Sequence, residues 1–431
     1  MEGRFGQRID PGAWDALVAP GTDARLLAGL PPTGPRDLPD HRSRFPAPPR
    51  ARRGGDPWLI EEVELAGLLG RGGADFPTAR KWRTVAAGAE RPVVVVNGAE
   101  GEPAAAKDAL LLARMPHLVI DGALYAAAAV GADRVFLCVG DHAPEAVEGV
   151  ERALRERRKA RERAGVRIEL RRVPDRYVAG ESGALVSSLE GNEPVPVSSR
   201  YRTAERGYRG RPTLVQNAET LAHVTLIMAN GAAWFRSAGT PAEPGTRLVS
   251  VSGAVPRPVV MEVEAGASLR DIVEAAGADP ATVSAVLIGG YYGTWVRASE
   301  AFDARLSAFS LEPYAATPGC GVVHLQPADA CGVTAVARLA SWFARESAGQ
   351  CGPCVFGLGA ISEAMAEVRG GEAGPATFGR IERWIGELPG RGGCSLPDGA
   401  AQMLRSGLAV FSDEFARHRL GRCGALLGVA R

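Results

Sequence analysis

Between Trp58 and about Ser237, short apolar runs alternate with longer mixed segments, the pattern of strands that feed helices. Pro92–Asn97 is apolar up to its last residue and reads as a strand buried on both faces. Asp108–Val130 reads as a helix, Arg134–Val139 as a second strand, Ala143–Ala164 as a charged helix and Val166–Val173 as a third strand. Strand–helix–strand units at this spacing predict a parallel sheet covered by helices. The rhythm changes at 245–327, where Arg247–Ser252, Val259–Val263 and Val286–Gly290 read as short strands and Ser268–Ala276 as a short helix. That combination predicts a compact α+β module. From Asp329 onward the pattern is helical, over Asp329–Arg345, Leu358–Val368, Phe378–Glu387 and Ala400–Phe415. Residues 1–55, with Pro-Pro and Arg-Arg-Gly-Gly steps and little periodicity, are expected to form a mostly irregular, partly disordered arm. The expected divisions are therefore the arm (1–55), an α/β domain (56–240), an α+β domain (245–327) and a helical domain (329–431).

At 431 residues the chain exceeds one ordinary core, which agrees with several domains. A net charge of +1 argues against a general binder of nucleic acid or of anionic membranes. The greasiest stretches, Leu118–Val130 and Leu221–Phe235, are interrupted by Asp121 and by Asn230-Gly231, so no membrane insertion is expected. The N-terminus lacks a basic-then-apolar secretory pattern, and a cytoplasmic protein is expected. Of the 50 basic residues only Lys81, Lys107 and Lys159 are lysines. A lysine kept in so arginine-rich a chain suggests a task for a compact ammonium rather than a wide guanidinium.

The α/β region carries four loops with the chemistry of a ligand pocket. Leu69–Thr78 contains Gly70, Arg71, Gly72, Gly73 and Phe76 and leads to Lys81; close glycines let backbone amides reach a phosphate, and the ammonium adds a point charge. Asn97–Pro103, with Asn97, Glu100 and Glu102, follows the first strand, where parallel sheets place ligands. Tyr177–Leu185 holds Gly180 and Glu181, and Gln216–Leu221 holds Asn217 and Glu219. Each loop alone is equally well a turn or a helix cap. Four in one α/β region favour a pocket.

These loops, in this order, resemble the NADH-binding flavoprotein subunit of respiratory complex I and its relatives in NAD-linked hydrogenases and formate dehydrogenases, from about Leu65 to Phe415. The resemblance implies a Rossmann-like parallel-sheet flavin domain, a β-grasp (SLBB-like) α+β module and a C-terminal helical bundle with an iron–sulfur motif. It implies that Gly70, Arg71, Gly72, Gly73 and Lys81 hold FMN and that Phe76 stacks on NADH. By the same likeness Asn97, Glu100 and Glu102 serve flavin and nucleotide, with Glu102 orienting the nicotinamide. Gly180 and Glu181 lie in the third loop of the site, and Asn217 and Glu219 complete it. The chain departs from the family pattern at Asp75 (usually Gly), Ala99 (Asp), Thr84 (an aromatic), Ser182 (Glu) and Gly183 (Thr). Ser198–Arg206 offers Tyr201 and Arg202 where the family is rich in Pro and Phe. These departures leave NADH and NADPH both open.

The seven cysteines are unevenly spread: Cys138 lies in a strand-like run, and six follow residue 319. In a cytoplasmic chain such clustering points to metal rather than disulfides. Cys351-Gly352-Pro353-Cys354 is followed 40 positions later by Cys394, a spacing that can close around one iron cluster. The family's first cysteine is Ala348 here, and Cys351, Cys354 and Cys394 match the other three. A [4Fe–4S] cluster with a foreign ligand, a [3Fe–4S] cluster and no cluster are all open, and Cys320, Cys331 and Cys423 are candidate substitutes. The expected function is an NAD(P)H dehydrogenase subunit that delivers single electrons to a cluster and a ferredoxin-like or thioredoxin-like redox subunit. Two rivals remain: a scaffold that has lost nucleotide or cluster binding, and a ligand sensor built on the α+β module.

Overall fold

A computed structural model describes residues 7–162, 165–197 and 199–423; Ser198 and the last two residues of the expected helix Ala143–Ala164 lie outside them. Among the described residues there are ten strands, in chain order β1 (Asp15–Val18), β2 (Val93–Gly98), β3 (Arg134–Gly140), β4 (Arg167–Val173), β5 (Thr213–Asn217), β6 (Thr246–Gly253), β7 (Val259–Glu264), β8 (Val283–Ile288), β9 (Thr294–Arg297) and β10 (Val322–Pro327). They form a four-stranded parallel sheet in the order β4-β3-β2-β5 and a six-stranded mixed sheet in the order β1-β7-β6-β10-β8-β9. A helical region over 332–418 follows.

The parallel sheet sits at the centre of the main core, because Val93, Val94, Val95 and Val96 are fully buried. The chain winds from β2 through β3 to β4 on one side and then returns to place β5 on the other side of β2. Strand order therefore reverses between β2 and β5, and the crevice beyond their C-terminal ends is where such sheets bind ligands. Register sets Asn97 beside Asn217, two residues 120 apart in the chain. The second and fourth loops are thereby brought to the same edge.

The segment Asp108–Val130 is two helices, Lys107–Arg114 and Pro116–Val130, bent by 98°. Pro116 explains the break: it lacks an N–H for the helical ladder and disfavours helical backbone at Met115. Every residue of Pro116–Val130 is buried. Gly122 lets it touch the helix Ala218–Asn230, since a Cβ at Gly122 would lie 1.8 Å from the Leu221 carbonyl oxygen. No single helix among the described residues is long and apolar enough to cross a membrane.

The arm carries more order than its sequence predicts. β1 pairs in parallel with β7, and Leu38–Arg44 is a helix. Two buried carboxylates pin the segment between them. Glu262 on β7 accepts the backbone N–H groups of Arg25, Leu26 and Leu27 at 2.9–3.0 Å. Asp121 accepts from His41 at 2.8 Å and pairs with Arg42 and Arg157.

Candidate functional site

A cavity of about 520 Å³ opens at the switch point between β2 and β5, a size that suits a bound cofactor. All four loops line it: Gly70, Arg71, Gly72, Gly73 and Phe76 from the first; Asn97, Glu100 and Glu102 from the second; Gly180 and Glu181 from the third; Asn217 from the fourth. Glu219 is absent from the lining and lies behind it. The cavity also reaches Cys320, Cys394 and Tyr292.

Glycines in the first loop are set by contact. A Cβ at Gly72 would press on Asn217 Cβ at 3.3 Å, and Gly73 has φ +114°, a conformation L side chains rarely adopt. Arg71 lines the cavity, and its buried guanidinium donates to the Pro244 and Thr246 carbonyls at 3.2 and 3.1 Å. Burial pulls its pKa down to about 10. Asp75 adopts φ 43° and pairs with the buried Arg247 at 3.3 Å, so the carboxylate that replaces the family glycine carries its own counter-charge.

Lys107 and Lys81 differ in kind. Lys107 Nζ is 2.6 Å from Glu219, donates to the Arg71 carbonyl at 3.0 Å and is 3.3 Å from Asp108. Burial would lower its pKa, but Asp108, Glu219 and Glu100 raise it above the usual value. Lys107 is thus a neutralised internal strut, and Glu219, which also accepts from Leu248 N at 2.8 Å, positions it. Lys81 Nζ donates to the Val215 carbonyl at 3.2 Å, and among the described residues no carboxylate pairs with it. Burial holds its pKa below the usual lysine value. A desolvated ammonium on a cavity wall, beside the amides of a glycine loop, is the complement of a phosphate. It also lies 5.9 Å from the ring centre of Phe76.

The acidic groups are built in by backbone. Glu100, at φ 40°, accepts from Asp108 N and Ala109 N at 3.0 and 2.9 Å, at the start of the helix Lys107–Arg114. Glu102 accepts from Tyr291 N at 2.8 Å and Ala104 N at 3.3 Å. Burial pushes both carboxyls up to about 7, against the pull of these N–H donors. Asn97 Nδ2 donates to the Gly180 carbonyl at 2.8 Å, tying the second loop to the third. Asn217 caps its helix through Thr220 N and donates to Asp108 at 2.6 Å. Gln216, the first amide of the fourth loop, lines the cavity with a buried Oε1 that has no partner among the described residues, as expected where a ligand donor belongs. Thr84, Tyr201 and Arg202 are exposed and do not line the cavity. Glu181 caps the helix Ser182–Leu189 through Gly183 N and Ala184 N.

The cysteine loop abuts this site. Tyr177 N donates to Glu346 at 2.8 Å and Arg176 donates to the Ser347 carbonyl at 3.2 Å, clamping the third loop to the residues just before Ala348. Cys351, Cys354, Cys394 and Ala348 share one apolar cluster, and Pro353–Leu358 is wound as a π-helix, a form frequent at functional sites. Burial, with Cys351 and Cys394 nearby, pushes the Cys354 thiol up to about 12. The three thiols that the resemblance assigns to an iron–sulfur cluster therefore share one cluster of side chains, and Ala348 packs there too, at the family's first cysteine position. Cys331 cannot substitute, because the helix Gly332–Arg345 separates it from this loop by about 20 Å. Cys423 lies with Cys331. Cys320 lines the cavity and bonds the Gly289 carbonyl at 3.3 Å.

Comparison with known proteins agrees with this geometry. Residues 63–226 match the Nuo51 FMN-binding domain, and residues 334–418 match the NADH-ubiquinone oxidoreductase-F iron–sulfur binding region. The second F subunit of the NADH-quinone oxidoreductase of Rhizobium meliloti (strain 1021) is 32% identical over 380 residues, covering 84% of this chain and 88% of that protein. The F subunit of the Rickettsia bellii (strain OSU 85-389) enzyme is 32% identical over 373 residues, covering 84% and 89%. Among solved structures, an air-oxidised NAD+-reducing [NiFe]-hydrogenase superposes with TM-score 0.80 at 32% identity, over 92% of this chain and 67% of that one. With its flavin and iron–sulfur regions both matched and most of its length aligned, the chain belongs to the family of NADH-quinone oxidoreductase F subunits.

Proposed function

We propose that this chain is the nucleotide-oxidising subunit of a redox complex, taking electrons from NADH at the cavity and releasing them at the Cys351–Cys354–Cys394 cluster. One observation carries the reading: a single cavity is lined both by the glycine loop and by Cys394. A carrier seated against Gly70–Gly73 therefore lies beside a cluster ligand, with no intervening domain to cross. When bound, FMN accepts an electron pair with a hydride and passes electrons on singly. The first-loop amides and Lys81 hold the phosphate or the anionic edge of the reduced ring. Gln216 Oε1 is free to accept from a ring or ribose donor. Glu102, near neutrality and fixed by two N–H donors, orients a carboxamide or ribose hydroxyl.

Arg202, the sequence's candidate partner for an added 2′-phosphate, does not line the cavity, whereas Glu181 does, which favours NADH over a phosphorylated nucleotide. Val355 and Phe356, exposed next to Cys354, suit docking of a ferredoxin-like or thioredoxin-like electron acceptor subunit. A scaffold that had lost its ligand would gain by replacing the half-buried Lys81 with an apolar residue, so the retained ammonium favours the enzyme. The test is an anaerobic absorption spectrum of the purified chain, with flavin and iron assays, before and after NADH and NADPH. Flavin bands bleached by NADH are expected; a chain that holds neither flavin nor iron after reconstitution would overturn the proposal.

A further inference from the structure

In the helical region, away from the cavity between β2 and β5, three ligand atoms converge. Cys331 Sγ, His418 and Cys423 Sγ all lie within 4.8 Å of one another, and among the described residues no other group of three or more His, Cys, Asp or Glu does so. We propose that these three residues form a zinc site, with water in the fourth position.

The geometry is that of a prepared donor set. His418 is buried, and its Nδ1 is 3.2 Å from the Val368 carbonyl. A carbonyl can only accept, so Nδ1 carries the proton and Nε2 presents its lone pair, 3.4 Å from Cys331 Sγ. Orientation of a ligating imidazole by a backbone carbonyl is the usual support around a metal. Cys331 occupies the N-cap of the 14-residue helix Gly332–Arg345, where Sγ accepts from Thr334 N at 3.4 Å. Glu414 accepts from Gly332 N at 2.7 Å and fixes the final helix, Ser412–His418, against this end.

Two thiolates and one imidazole make a soft, tetrahedral set that selects zinc over the oxygen-seeking cations. The spacing His418-x₄-Cys423 lies within the range of zinc-binding pairs. The site is separate from the cluster, which lies beyond the length of the helix Gly332–Arg345. Zinc here would join the first helix of the domain to the tail that follows its last one, closing the bundle through metal rather than through a disulfide.

The test uses the full chain purified under reductant, with metal analysis and X-ray absorption. One zinc per chain is expected, retained when the cluster ligands are removed together (C351S/C354S/C394S) and lost in C331S/C423S. To cover a failure of the latter variant to fold, wild-type chain stripped by chelator is also titrated with Co²⁺. Tetrahedral d–d bands with thiolate-to-cobalt charge transfer, displaced by Zn²⁺ and weakened in H418Q, are expected, together with a rise in melting temperature on metal addition. Absence of cobalt bands in the stripped wild type, zinc that survives C331S/C423S, or a Cys331–Cys423 disulfide under reductant would each overturn the proposal.

Discussion

Replacing Lys81 by methionine keeps the aliphatic volume of the side chain and removes its charge. In the folded chain the ammonium is half-buried, bonded to the Val215 carbonyl, and its pKa is lowered by that burial. Without a ligand it is a cost, so Lys81→Met should leave the flavin-free protein as stable as before, or up to about 1 kcal/mol more stable. With FMN bound the sign reverses. A charge-assisted hydrogen bond to an anion contributes about 1.5–3 kcal/mol, which corresponds to a loss of roughly 10- to 150-fold in affinity. Titration of apoprotein with FMN, read by calorimetry or flavin fluorescence, measures this directly, and thermal denaturation of the same apoprotein measures the other arm. Riboflavin separates the two possible contacts. If Lys81 meets the phosphate, its removal leaves riboflavin affinity unchanged; if it meets the ring, both ligands weaken alike. An FMN affinity within twofold of wild type, or an apoprotein destabilised by more than about 2 kcal/mol, would refute the assignment of Lys81 as an anion-binding charge.

Three further outcomes follow from the same structure. Ala348→Cys supplies a fourth thiol to the loop clamped by Arg176 and Tyr177, and should raise reconstituted iron from about three to about four atoms per cluster, with EPR changing from an oxidised three-iron signal to a reduced four-iron one; identical iron and EPR would show that another ligand already fills that corner. Glu102 is buried with its carboxyl pushed up to about 7 from 4.5, so the folded chain holds a proton that the unfolded chain has released, and flavin-free protein should lose stability as pH rises through that window. Glu102→Gln should remove up to about 3 kcal/mol of that loss, leaving the part due to Glu100, and a pH–stability curve of unchanged slope would count against it. Gly122→Ala would place a Cβ 1.8 Å from the Leu221 carbonyl, forcing apart the helices Pro116–Val130 and Ala218–Asn230 at a cost of about 3 kcal/mol or more, measured as a fall in melting temperature.

What the chain's pattern reveals, and what it hides, follows the range of each interaction. The strands β2 and β3 are legible because a strand buried in a covered parallel sheet is largely apolar and bounded by helical segments, whereas β4 is an edge strand in which Ile168 and Leu170 alternate with charged residues; the ends of all three agree with the pattern to within a residue. β1, β5, β9 and β10 carry no such signal, being short or flanked by turns, and each is defined by its partner strand rather than by its own periodicity. The break at Pro116 is written in the sequence but outweighed by the continuous apolar run that follows it.

The site divides along the same line. Backbone-driven parts, the glycine loop and the residues just after a strand, are visible locally, and most of them meet in one cavity. Which of the two lysines lacks a counter-charge is not visible locally, because it is decided by Glu219, 112 positions beyond Lys107, which neutralises that ammonium, while among the described residues no carboxylate pairs with Lys81. The same holds for Asp75: taken alone it sets a carboxylate against a phosphate, but Arg247, 172 positions later, neutralises it. It holds for the arm too, whose polar residues look like solvent-exposed ones until Asp121 and Glu262 supply the buried partners that hold them in place. Charge in a buried site is a property of pairs, and pairs made across the fold leave no periodicity in either partner's neighbourhood. The cavity is therefore legible in the chain itself, whereas the protonation and freedom of each group inside it depend on the assembled fold.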